Sequence, residues 1–184
     1  MTNVSLPPWD DWLPVDRATL VFIRRGEELL LIRKLRGLGA GKINAPGGRL
    51  EPGETKLDCA RREVIEELCV VPLNLEECGE LRFQFVDGYS IHAYVFSAHD
   101  CEGEPQSTAE AIPIWTHQSE IPYSEMWADD MLWVPQLLSG QKFRARFVFD
   151  GDSMLEHDVE CSPISHSAPM TLPLREMERG EHDA

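Results

Sequence analysis

Long apolar runs are missing from this sequence. The longest, such as Ala18–Ile23 and the leucine-rich Glu28–Ile32, fall far short of the ~20 residues that span a bilayer, so no membrane partner is expected. Positive charge is also scarce. Lys and Arg number 17 against 32 Asp and Glu, a net charge of −15 at pH 7. That balance excludes a general surface for polymeric nucleic acid, and it admits a polyanionic small molecule only where cations intervene. No basic-then-apolar leader opens the chain, so a cytoplasmic location is expected. The five cysteines (59, 69, 78, 101 and 161) are odd in number and lack CxxC spacing. Reduced thiols, several of them buried, are expected rather than a zinc site or a disulfide framework. A P-loop is absent too, because Gly41-Lys42 is followed by Ile43 where Ser or Thr is required.

What is present is an ordinary globular composition, 42% hydrophobic and 27% charged over 184 residues, enough for one domain with a proper core. Residues 1–16 hold three prolines, two tryptophans and three aspartates, and read as an extended lead-in rather than a packed element. Arg17–Arg24 and Glu28–Arg33 read as a strand pair. Lys34–Lys42, with three glycines, is a loop whose backbone can approach a neighbour closely, and Ile43–Pro46 is a short connector. Gly79–Asp87 and Tyr89–Ala98 flank an Asp87-Gly88 hairpin turn. Ile112–Thr116 is a short strand, Glu120–Glu125 a turn, and Trp127–Leu138 a second helix that Pro135 should kink or shorten. Lys142–Phe149 and Met154–Glu160 form another hairpin, and residues 161–184 read as a mobile tail. The expectation is a main domain over 17–160 with a mixed α/β sandwich, flanked by an extension (1–16) and a tail.

The most informative stretch is Gly47–Val70, GGRLEPGETKLDCARREVIEELCV. Leu57, Ala60, Val64 and Leu68 recur at helical spacing and predict one buried face. Glu63, Glu66 and Glu67 cluster elsewhere on the same turn, where like charges repel unless a cation sits among them. The spacing resembles the Nudix box: Gly48, Glu54, Arg62-Glu63, aliphatic Val64, Glu66-Glu67 and aliphatic Val70, with Cys69 where glycine is usual. The glutamates offer the oxygen ligands that hard divalent cations require. Arg62 can pair with Glu54, and the Gly47-Gly48 turn lets backbone groups come close to a metal and phosphates.

The resemblance extends over about 17–160. It is closest to the Nudix branch that hydrolyses oxidised purine nucleoside triphosphates, through Lys34–Gly41, Asn44, Phe83–Phe85, Ile121-Pro122, Met126–Asp130 and Trp133. It implies a Nudix α/β/α sandwich with a mixed β-sheet. It implies Mg²⁺ (with Mn²⁺ able to substitute) held by Gly47, Glu63, Glu66, Glu67 and Glu110, and catalysis by those three box glutamates with Arg62 and Glu54. One glutamate would act as general base, and the residues leave open which. Asn44, Asp129 and Asp130 would read the purine edge and Trp127 would stack on the base. Thr19, Lys34, Pro46, Gly47, Gly48, Arg49, Phe83, Phe85 and Ala128 fall at further substrate-binding positions. Without the family, Asp129-Asp130 reads equally well as a helix cap, and Phe83 and Phe85 as core. Leu38 replaces a frequent aromatic, and Ala45-Pro46 a bulkier pair. The implied substrate is a free nucleotide such as 8-oxo-dGTP or 2-hydroxy-dATP, and a monomer is expected. A Nudix hydrolase for another diphosphate and a non-catalytic nucleotide-binding regulator are the alternatives.

Overall fold

The computed structural model describes residues 8–162; residues 1–7 and the expected tail from 163 onward lie outside the described residues. Ten strands and two α-helices follow one another as β1 (Asp16–Arg25), β2 (Glu28–Lys34), β3 (Ile43–Asn44), α1 (Lys56–Leu68), β4 (Val71–Leu73), β5 (Glu76–Phe85), β6 (Ser90–Ala98), β7 (Asp100–Glu102), β8 (Ala111–His117), α2 (Asp130–Leu138), β9 (Lys142–Asp150) and β10 (Ser153–Ser162). Eight strands form one mixed sheet in the order β10-β9-β5-β6-β1-β2-β3, with β8 also paired to β2. The β1–β6 and β5–β9 pairings are parallel and the other pairings of this sheet antiparallel. Strands β4 and β7 form a separate two-stranded ribbon.

The unbroken apolar runs of β1 and β2 have a direct cause: the helices cover both faces of the sheet there, so neither parity of side chain meets water. Val21, Ile23, Leu30 and Ile32 face α1, where Ala60, Val64 and Leu68 pack on them. Phe22, Leu29 and Leu31 face α2, against Trp133, Val134 and Leu137. The result is the expected α/β/α sandwich.

Several elements differ from expectation. Leu57 is exposed rather than part of the buried face of α1, and Cys59 is fully buried instead. Ile43–Asn44 is a strand, with Asn44 opposite Ile32 of β2. The 120–125 segment resolves into two short 3₁₀ turns, Gln118–Glu120 and Tyr123–Glu125. Helix α2 begins at Asp130, three residues late, and accommodates Pro135 within its nine residues. Strand β10 runs on through Cys161 and Ser162. The lead-in from 8 to 15 holds no strand or helix, but it is packed: Trp9 and Trp12 are anchored on the sheet. All five cysteines are free thiols, with Cys59 and Cys101 buried.

Candidate active site

Helix α1 is set by its ends. Thr55 caps it by accepting from the Asp58 N–H at 3.1 Å. Cys69 ends it in the left-handed region at φ 59° and returns its N–H to Ile65 O, the conformation that glycine would adopt without strain. Between β3 and α1 the Gly47-Gly48 turn lies along β1, with Thr19 N–H bonded to Gly48 O and Val21 N–H to Pro46 O, both at 2.8 Å. Gly47 is obligatory by contact with backbone, and Gly48 leaves room for a carboxylate. A Cβ at Gly47 (φ 155°) would lie 2.0 Å from the Thr19 carbonyl oxygen, and one at Gly48 would lie 2.4 Å from the Glu63 carboxylate.

The acidic turn is organised by one cation. Arg62 donates to Glu54 at 2.7 and 2.9 Å, to Glu63 at 2.8 Å, to Glu66 at 3.1 Å and to the Arg49 carbonyl at 3.1 Å. That guanidinium draws the Glu54 carboxyl down to about 2. Glu66 is largely exposed, whereas Glu63 is mostly covered, and burial pushes the Glu63 carboxyl upward. Glu67 is only 1% exposed. It accepts from Gly47 N–H at 2.9 Å and faces the Lys34 ammonium at 3.5 Å. Burial raises it to about 7 against the opposing pull of Lys34 and the Gly47 N–H. As these side chains stand, no three acidic, thiol or imidazole groups among the described residues are arranged to hold a metal ion, since Glu63 and Glu66 turn onto Arg62 while Glu67 turns onto Gly47. The donor set nonetheless fits a hard divalent cation. It is all oxygen, comes from one helical turn, and includes the buried Glu67 and the mostly covered Glu63, both raised by burial.

Beside this turn a cavity of ≈ 350 Å³ opens into the α2 side of the sheet, a size suited to a small-molecule ligand. Its wall brings together Thr19, Lys34, Asn44, Gly47, Gly48, Arg49, Phe83, Phe85, Glu110, Trp127, Asp129 and Asp130, residues from seven separate segments. Pro46 and Ala128 stand next to the wall rather than in it, and Glu54, Arg62, Glu63, Glu66 and Glu67 lie behind the glycine turn. Glu110 is exposed at the head of β8. Trp127 packs edge-on against Phe149 and Phe85, with centroids 5.6 and 6.4 Å apart, under the Lys42 ammonium at 4.9 Å. Gly39 lets the loop pass close to it, as a Cβ there would meet Trp127 Nε1 at 2.9 Å. Phe83 stacks on Phe147 at 5.4 Å.

The aspartate pair departs from a simple helix cap. Asp130 does reach back to accept from Trp127 N–H at 3.0 Å, tying down the turn that leads into α2. Asp129 caps nothing. Its Oδ2 accepts from Trp133 Nε1 at 2.9 Å, and its Oδ1 is buried with no hydrogen-bond partner. Burial raises Asp129 to about 6 and, with the neighbouring Asp129 charge, raises Asp130 well above the ordinary carboxyl range. A buried carboxyl with one idle oxygen at a cavity wall is able to accept a hydrogen bond from a group in the cavity or, when protonated, to donate one.

The wall also includes Leu20, Tyr89, Ile91, Trp133 and Phe149, which residue patterns alone did not single out as site residues. The alternation of β6 and β9 was visible, but which parity faces a cavity depends on where α2 lands.

Comparison with known proteins identifies the family. The NUDIX domain family matches residues 14–137. The oxidized purine nucleoside triphosphate hydrolase of Danio rerio is 39% identical over 144 residues, covering 77% of this chain and 92% of that protein. The protein of the same name from Mus musculus is 36% identical over 143 residues, with the same coverage. Among solved structures, a MutT protein of Bacillus halodurans superposes with a TM-score of 0.72 at 26% identity, over 79% of this chain and 98% of that one. With the box, the cavity and the sandwich in place, the chain belongs to the Nudix family.

Proposed function

We propose that this protein hydrolyses oxidised purine nucleoside triphosphates, such as 8-oxo-dGTP and 2-hydroxy-dATP, to the nucleoside monophosphate and pyrophosphate, keeping damaged precursors out of DNA. The names of the relatives from Danio rerio and Mus musculus support the substrate class. The observation that carries the reading is the buried Asp129-Asp130 pair, with its idle Oδ1, on the wall of a purine-sized cavity that opens beside the box glutamates.

In this reading Trp127 stacks on the base. Asp129 and Asp130, sharing a proton, offer both a donor and an acceptor to the purine edge, with Asn44 alongside. Glu63, Glu66 and Glu67, with the Gly47 carbonyl and Glu110, would hold Mg²⁺. When bound, Mg²⁺ offsets phosphate charge and acidifies water. Arg62 and Glu54 brace the glycine turn, so that the Gly47 and Gly48 backbone meets the phosphates at a fixed distance. One box glutamate takes the proton of the water that attacks the phosphate chain, and the products are the nucleoside monophosphate and pyrophosphate. The same reading makes 17–160 the working domain, a cytoplasmic monomer acting on a free nucleotide. No helix among the described residues is long and apolar enough to cross a membrane.

The test is pyrophosphate release from a panel of oxidised and normal nucleoside triphosphates with Mg²⁺. Oxidised purines should be turned over with the highest kcat/KM. Equal rates on every base would remove the purine-reading assignment. Glu67→Gln should lower kcat by about 10²-fold or more, and undiminished turnover would remove the metal and catalytic assignments together.

A further inference from the structure

The lead-in before β1 makes a continuous set of contacts to one wall of the cavity. Trp12 Nε1 donates to Gln84 Oε1 at 2.9 Å. The Gln84 amide in turn donates to the carbonyls of Phe85 and Tyr89 at 3.0 and 3.1 Å, fastening the β5–β6 hairpin on both sides of its turn. Val15 N–H donates to the buried Ser90 Oγ at 3.0 Å. At the start of β1, Asp16 Oδ2 accepts from the Tyr89 hydroxyl at 2.7 Å and pairs with Arg49 Nε at 3.1 Å. Arg49 Nη2 closes the triangle by donating to the Tyr89 oxygen at 3.0 Å. Its guanidinium lies 5.8 Å from the centre of the tyrosine ring. The Tyr89 ring continues the aromatic wall outward from Phe85, centroids 5.9 Å apart, and both Tyr89 and Arg49 line the cavity.

A phenol on a hairpin turn is ordinarily free to swing; Asp87-Gly88 beside it, with Gly88 at φ 96°, is a flexible corner. Here the hydroxyl is held from two directions by a carboxylate and a guanidinium, and the main chain behind it is held by Gln84. Such charge-assisted bonds are the stronger class. They fix an aromatic surface on a cavity wall to which Leu38 contributes no ring.

We infer that Tyr89, clamped by Asp16 and Arg49, is a specificity-determining wall of the base site, and that Asp16, Gln84 and Trp12 are its positioning residues. The inference rests on the nucleotide-hydrolase reading. The clamp sets how the base is admitted, while the box carries the chemistry, so its loss falls on KM and on base choice.

The experiment compares Tyr89→Phe, Asp16→Ala, Asp16→Asn and the Tyr89→Phe/Asp16→Ala double variant of the full chain. Steady-state kinetics are taken with an oxidised purine and a pyrimidine triphosphate, and equilibrium binding with the matching purine monophosphate. Loss of one charge-assisted bond corresponds to about a 10–150-fold change. The KM for the purine and the monophosphate Kd should therefore rise within that range, with a smaller change for the pyrimidine. Asp16→Asn, whose amide oxygen still accepts from Tyr89, should recover part of the loss. The double variant should be no worse than the worse single one, because both cut the same clamp. Purine KM and Kd within twofold of the parent, or equal losses on both bases accompanied by a lower Tm, would overturn the inference. If the parent turns over no nucleoside triphosphate, the functional reading fails and the monophosphate Kd alone decides the clamp: weakened binding supports it and unchanged binding overturns it.

Discussion

At the scale of single residues, the buried carboxyls make the sharpest statements. Asp129 has a folded-state pKa of about 6 against an ordinary 3.8, raised by burial. Between those values the folded protein binds more protons than the unfolded chain, so this group's contribution to stability is complete below about pH 3.8 and is lost as pH rises through about 6. Replacing it by Asn removes that loss. Asp129→Asn should be more stable than the parent at pH 8 by on the order of 3 kcal/mol, with a flatter pH profile of denaturation midpoints over pH 4–7. It should also bind oxidised purines less selectively, which the nucleotide panel reads directly. A variant that is no more stable at pH 8 would mean that Asp129 is charged and compensated in the fold. Gly48→Ala provides the converse case. Its methyl would enter the space of the Glu63 carboxylate, so turnover should fall without a comparable fall in helix content by circular dichroism.

At the scale of elements, α1 is a good helix with one poor end. Cys69 holds φ 59° and ψ 29° while exposed, and a left-handed side-chain-bearing residue carries a cost of roughly 1–2 kcal/mol. Cys69→Gly should stabilise the protein by about 1 kcal/mol, less than the full strain because glycine also loosens the unfolded chain. The check is urea denaturation, with kcat unchanged since the thiol lies away from the cavity. An unchanged midpoint would show that the turn into β4 has relaxed around the cysteine. Helix α2 makes the opposite point. Its start is decided by Asp130 bonding back to Trp127 N–H, and Pro135, which ordinarily interrupts helices, sits inside nine helical residues whose apolar side is anchored by Trp133, Val134 and Leu137. Packing outweighs the missing N–H there.

At the scale of the whole molecule, the net charge of −15 and the cluster around Arg62 leave the folded state short of positive charge at the box. A cation that binds the folded chain and not the unfolded one stabilises it by mass action. Millimolar Mg²⁺ should therefore raise Tm by several degrees, on the order of 2 kcal/mol if its concentration reaches tens of Kd. EDTA should reverse the rise, and Glu67→Gln should abolish it. Equal shifts in parent and variant would place the ion elsewhere on the acidic surface.

Much of this was legible in the residues. The box spacing from Gly48 to Val70 needs only one helix and one turn, both local, and local geometry follows from glycine, capping threonine and 3.6-residue periodicity. Segments Arg17–Arg24 and Glu28–Arg33 were likewise legible as a strand pair, whereas their burial on both faces came only with the helices. What the chain order could not convey is convergence. Whether Asp129 caps α2 and whether Leu57 is buried depend on how the helices pack, and whether the proline- and tryptophan-bearing lead-in touches anything depends on contacts between residues more than seventy positions apart, such as Asp16 with Tyr89. Sequence by itself determined the helix, the turn and the carboxylate set, because each is a short-range consequence of side-chain chemistry. Only the tertiary structure decided which buried oxygen is left without a partner and which aromatic rings wall the cavity, because burial is a property of the packed sheet and helices together.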